Sequence, residues 1–204
     1  MEENINKIIR QTRRYWYEDG FAEIAIGLLF SFLGIGLYLQ KMAANHFGWL
    51  MVVIFGLMIF TFSSSLIVKW IVTLLKQRIT YPRTGYVEYI PQQDNGGRWL
   101  VIAFSLGLAI LTLIIPDTFG GMGSIVGLLM GMIMAYLAYR SGMPRFMIAS
   151  VLAIAVGILT TYLSLDDIIG TAIVFSAVGI SLLVSGLLTL ITYLRETNPP
   201  KGEV

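Results

Sequence analysis

The 204-residue chain is 56% apolar and only 13% charged, with a formal net charge of +2; an ordinary soluble domain carries about 25% charged residues. It has no cysteine and a single histidine, His46. That excludes disulfide scaffolds, thiolate metal sites and cysteine nucleophiles, and leaves little room for imidazole chemistry. Uncharged apolar stretches of roughly 20 residues match the thickness of a bilayer core, so the composition predicts a polytopic membrane protein.

Residues 1–20 read as an amphipathic N-terminal segment. Ile5, Ile8, Ile9, Thr12, Tyr15 and Trp16 recur at helical spacing, while Lys7, Arg10 and Arg14 follow another face. A helix of this kind lies on a lipid surface with its cations near anionic headgroups. The segment has the charge of a nucleic-acid-binding arm but no recognisable module, and no nucleic acid is expected as a partner. Charged residues run to Asp19 before any apolar stretch begins, unlike the short basic start and brief apolar core of a cleaved signal peptide. The first span is therefore expected to be retained.

Six apolar stretches follow: Phe21–Leu39, Trp49–Val68, Trp99–Ile115, Phe119–Tyr139, Phe146–Leu165 and Ile168–Leu194. The second is expected to continue as helix to about Leu75. Backbone in lipid must satisfy its own hydrogen bonds, so stretches of this length predict helices. The alternating segments of about 10 residues that build a membrane barrel are absent. The expected fold class is all-α, a six-helix membrane bundle with a loop over 76–98 and a tail over 195–204.

Of the fourteen Lys and Arg residues, only Lys41 falls outside the flanks on one side of these spans. The rest cluster before span 1, between spans 2 and 3, between spans 4 and 5, and after span 6. Cytoplasmic loops carry the excess of Lys and Arg, so both termini are predicted to be cytoplasmic in the plasma (inner) membrane. Trp16, Trp49, Trp70 and Trp99 fall at or near span ends, where amphipathic rings favour the headgroup layer.

The 76–98 loop contains "ITYPRTGYVEY", residues 79–89. Pro82 suits the second position of a β-turn, and Gly85 supplies the positive φ that closes a hairpin. The flanks are β-branched and aromatic, so a tight turn or small hairpin is expected. Arg78, Tyr81, Pro82, Arg83, Gly85 and Tyr86 are the residues expected to meet lipid phosphates or a protein partner. Together with "YEDGFAEIAIGLL" at the start of the first span, this stretch resembles an uncharacterised group of small prokaryotic membrane proteins. The resemblance covers about the first half of the chain and implies a shared architecture, with no activity to carry over.

Charged residues inside a span are functional candidates because burying them in lipid is costly. Glu23 and Lys69 are the two such residues, both near the predicted cytoplasmic ends of their spans. Two readings of Glu23 compete: an ion or proton site, or an interface ion pair with Lys69, Arg140 or Arg145. The second is preferred, since no ionisable residue falls at a predicted midplane and no interior proline breaks a helix, as coupled carriers commonly require. A hydrolase needs a histidine beside its nucleophile, whereas His46 lies in the loop between spans 1 and 2. No H-E-x-x-H metal motif occurs. No catalytic residue, cofactor or metal ligand is assigned.

Small residues recur every four positions at Gly123, Gly127, Gly131 and Ala135, and again at Ala177, Ser181, Ser185 and Thr189, with Gly27 and Ser31 adding a shorter stripe. Stripes of this kind let helix backbones approach closely, inside the bundle or at a homo-oligomer interface. The ten methionines read as adaptable packing. The preferred function is a structural or accessory membrane protein acting through lipids or a protein partner. The alternatives are a small-solute binding subunit or permease, and a lipid-modifying enzyme.

Overall fold

The computed structural model describes residues 19–80 and 121–196. Among these residues every regular element is helical. Helix α1 spans Phe21–Met42, a short 3-10 turn covers Ala43–Asn45, and α2 spans Phe47–Leu75. A single π-helical turn, Lys76–Thr80, prolongs α2. Helix α3 spans Met122–Ser141, α4 Pro144–Tyr162 and α5 Asp167–Glu196. All five are long and apolar enough to cross a membrane. Span Trp99–Ile115, most of the 76–98 loop, most of residues 1–20 and most of the tail lie outside the described residues.

Each helix runs past at least one end of the apolar stretch that signals it, although α3 starts only at Met122 and α4 stops at Tyr162, short of the expected Phe119 and Leu165. Arg145 sits in the first turn of α4 and Arg195 in the last turn of α5, because a charge marks where a span leaves apolar surroundings and does not break a backbone hydrogen-bond ladder. The breaks come from backbone chemistry. Between α3 and α4, Gly142 takes a left-handed conformation (φ 69°) and donates its N–H to the Ala138 carbonyl. Met143 is extended, and Pro144 opens α4 at a position where no N–H is needed. The result is a tight antiparallel hairpin.

Two close helix pairs form the body. In the first, α1 runs antiparallel to α5, and small residues face each other at seven-residue steps: Gly20 with Gly186, Gly27 with Gly179, Gly34 with Ala172. A Cβ on Gly27 would sit 2.8 Å from the Gly179 carbonyl oxygen, and one on Gly34 would sit 2.8 Å from that of Ala172. The backbones touch, and the seven-residue step is that of a left-handed pair. In the second, α3 meets α4 at four-residue steps, with Gly127 against Ala153 and Gly157 and with Gly131 against Ser150 and Ile154. Ser150 donates its hydroxyl to the Gly131 carbonyl at 2.7 Å.

The pairs join through a core in which Met130, Met134, Phe146, Ala149, Val178 and Leu182 are buried together. Phe30 of α1 meets Phe175 of α5 edge-on at 5.9 Å between ring centres. Helix α2 stands apart from this body. Val72 and Lys76 are its only described buried side chains, counting the π-turn as part of it, and none of Phe47–Ser64 is buried.

Both ends of the body are pinned by charge. At the end away from Asp19, Lys41 Nζ meets Asp166 Oδ2 at 2.5 Å, tying the last turn of α1 to the approach of α5. Asp166 Oδ1 also accepts the Ile168 N–H. Next to it, Asp167 Oδ1 accepts the Met122 N–H at 2.9 Å. A carboxylate from α5 thus caps α3, favourably placed at the positive end of its dipole.

Candidate functional site: a buried charge cluster

The other end of the body carries the only buried acidic and basic side chains among the described residues. Asp19 lies in the turn before α1 and Glu23 in the first turn of α1. Lys76 follows α2, Arg145 is in the first turn of α4, and Ser185 and Thr189 occupy successive turns of α5. Gly20 makes the convergence possible. At φ 74° it passes directly over the Gly186 carbonyl, a path that leaves no room for a side chain and sets Asp19 against the bundle.

Glu23 is fully buried and Asp19 is 1% exposed. Glu23 Oε1 lies 2.6 Å from Arg145 Nε, an ion-pair contact without hydrogen-bond alignment. Its other oxygen, Oε2, accepts the Ser185 hydroxyl at 3.1 Å. Arg145 reaches further, donating from Nη1 to Thr189 Oγ1 and from Nη2 to Met143 Sδ at 2.7 Å. Thr189 in turn donates to the Ser185 carbonyl. Lys76, 2% exposed, places Nζ 3.0 Å from Asp19 Oδ2, and Asp19 Oδ1 accepts the Phe21 N–H at 3.3 Å.

Among the described residues the cluster's two carboxylates and two cations balance in sign. Glu23 lies near the positive end of α1 and Lys76 near the negative end of α2, both favourable dipole positions. Arg145 sits at a positive helix end, an unfavourable position that Glu23 offsets. Buried charges need partners of this kind, because desolvation of each ion is expensive and only close, well-placed opposites repay it.

Of the residues expected to pair at this interface, the structure joins Glu23 to Arg145 and leaves Lys69 exposed on α2; the Arg140 side chain lies outside the described residues. The Asp19–Lys76 pair escaped sequence reasoning, which placed Lys76 at the start of a loop. The available signal was spacing: Lys76 follows Val68 and Val72 at four-residue steps, on the edge of α2 that meets α1. Arg78 is exposed in the π-turn, while Tyr81, Pro82, Arg83, Gly85 and Tyr86 lie outside the described residues.

In the packing stripes, Gly123, Gly127 and Gly131 are buried against α4, and Ala135, Ala177 and Ser181 are half-buried. Ser185 is half-buried and serves as the hydroxyl donor to Glu23. Among the described residues no group of three or more His, Asp or Glu side chains is placed to hold a metal ion. Between α1 and α2 runs a crevice of about 240 Å³, walled by apolar side chains and Ser64, whose hydroxyl is turned to the Thr61 carbonyl. Comparison with family models, curated proteins and solved structures finds no match for the chain.

Proposed function

We propose that the protein is a structural or accessory component of a prokaryotic inner membrane, acting through lipids or a protein partner. In this reading six spans cross the bilayer with both termini cytoplasmic, and the charge cluster lies at the cytoplasmic end. The observation that carries it is the pairing of the buried carboxylates: Asp19 and Glu23 each meet a cation within 3.0 Å. Their charge is spent on joining helix ends. Glycine contacts that bring backbones together along two helix pairs support a solid bundle of this type. The partner-facing element is the loop at 76–98, with Arg78, Tyr81, Pro82, Arg83, Gly85 and Tyr86 as its contact residues.

A second reading, a binding subunit for a small apolar solute, draws support from the apolar crevice between α1 and α2. Native mass spectrometry of the protein gently extracted from its own membrane separates the two. The accessory reading expects a co-purifying protein or a retained stoichiometric lipid, with a protein partner lost when Pro82–Gly85 is scrambled. A solitary chain or homo-oligomer holding a stoichiometric non-lipid small molecule would replace it with the carrier.

A further inference from the structure

The crevice between α1 and α2 has a shape that few occupants fit. Its α1 wall runs from Phe21 to Phe32 and its α2 wall from Phe60 to Leu75. One end is bounded by the stacked rings of Phe32 and Phe60. At the other end Val72 is buried with Phe21 and Ala25, and Val68, Leu75 and Leu190 pack around them. The side is open, with Leu28, Phe32 and Ile67 exposed. At roughly 1.5 Å per residue the α1 wall is about 16 Å long, which is about half of a ~30 Å bilayer core. The crevice therefore matches a single leaflet, the one on the side of the charge cluster. Its volume of about 240 Å³ over that length leaves a mean section of about 15 Å², and a helix ~10–12 Å across does not enter. Ser64 is the one polar side chain in the wall, and it donates its hydroxyl to the Thr61 carbonyl at 2.7 Å. A polar solute finds no partner there, and apolar cavities stay dry. Left empty, the slot would forfeit the dispersion contacts of its walls.

We propose that this crevice seats one acyl chain of an anionic phospholipid, with the Arg78 guanidinium holding the phosphate at its mouth. Arg78 is exposed in the π-helical turn that directly follows Leu75, the last residue of the α2 wall. A chain lying along the crevice from the Phe32–Phe60 end brings its headgroup to that turn. Arginine suits the task, because its planar fork pairs with phosphate oxygens through two parallel hydrogen bonds. The open side lets the chain enter from the surrounding lipid without parting the helices. The inference rests on the proposed reading of the chain as a membrane protein acting through lipids, and it gives to a lipid the crevice that the carrier reading would fill with a solute. In the proposed topology the seat faces the cytoplasmic leaflet, where anionic lipids collect.

The full chain, delipidated in detergent, is titrated with phosphatidylglycerol or with phosphatidylcholine, whose choline neutralises its phosphate, and bound lipids are counted by native mass spectrometry. Three variants accompany the parent. Arg78→Gln removes the anchor, Ser64→Phe fills the slot, and Gly56→Phe adds the same bulk to α2 where a Cβ meets nothing within 4 Å. The expected result is one tightly held phosphatidylglycerol per parent chain, held more firmly than phosphatidylcholine. Arg78→Gln should weaken phosphatidylglycerol roughly fivefold, the worth of one cation beside an anionic lipid, and leave phosphatidylcholine unchanged. Ser64→Phe should lose both lipids, and Gly56→Phe should match the parent. A parent that holds no lipid overturns the proposal. So does a Ser64→Phe chain that keeps its lipid, which would put the binding outside the crevice. An unchanged preference for phosphatidylglycerol in Arg78→Gln removes the anchor and overturns it equally. If Ser64→Phe does not fold, Ser64→Leu is read by the same criteria. A non-lipid molecule carried out of the native membrane would fail the proposed function, whereas this titration with defined lipids fails the seat alone.

Discussion

Glu23 shows how a single carboxylate can join three helices. Its two oxygens face α4 through Arg145 and α5 through Ser185, while its backbone belongs to α1. Removing one member of such a buried pair typically costs about 3–5 kcal/mol, while replacing both with apolar groups of similar volume is often neutral. Arg145→Met is therefore expected to lower stability by about that amount. Glu23→Gln/Arg145→Met should recover most of the loss, because no buried charge then stands alone. Thermal unfolding in one detergent, across both single variants and the double, measures this coupling. Additive losses would show that the pair is not the unit. Glu23 stands out in the sequence as a charge inside an apolar run. Its choice of Arg145 over Lys69 does not, because it depends on the α3–α4 turn that sets Arg145 beside α1.

At the scale of elements, glycine decides how near two helices come. A Cβ on Gly127 would lie 2.7 Å from Gly157 Cα and from the Ala153 carbonyl oxygen, both backbone atoms that cannot step aside. Overpacking of this kind costs typically about 1–3 kcal/mol, so Gly127→Ile is expected to lower the melting temperature and part α3 from α4. Gly56→Ala in α2 is the contrasting case: a Cβ there meets nothing within 4 Å. Its stability should be unchanged or slightly raised, since glycine is the poorer helix former. Equal behaviour of the two variants in a thermal melt would contradict the close α3–α4 approach. The every-four spacing of Gly123, Gly127 and Gly131 is legible in the sequence. The seven-residue partnership of Gly20, Gly27 and Gly34 with Gly186, Gly179 and Ala172 is not, because it appears only once the first and last described helices lie antiparallel.

At the scale of the molecule, the two ends of α1 are pinned by ion pairs of different kinds. Asp19 and Glu23 are buried, whereas Lys41 and Asp166 are both 40% exposed. Hydrogen bonding to the Lys41 ammonium holds the Asp166 carboxyl below its usual range. A carboxyl whose folded value is depressed contributes stability above its unfolded pKa, about 3.9 for Asp. That contribution is lost as pH falls through the folded value. Between neutral pH and about pH 5 the clasp should be intact, and it should weaken under stronger acid, by a small amount because solvent and salt screen exposed pairs. Lys41→Gln should flatten this part of the stability-against-pH curve. An unchanged acid limb in the variant would show that the clasp contributes nothing.

Hydropathy and length by themselves determined that the described chain builds long apolar helices, because such stretches must satisfy their own backbone hydrogen bonds and no alternating strand pattern competes. The sequence also marked where small residues would let helices touch and which charges sit among apolar neighbours. Only the tertiary structure decided which helices pair, and with that the partner of every buried charge. Asp19 and Lys76 are 57 residues apart in the chain and Glu23 and Arg145 are 122 apart. No local spacing rule connects residues so distant. They meet because close antiparallel packing carries the ends of four helices to one place, where desolvation leaves each ion no alternative but its opposite.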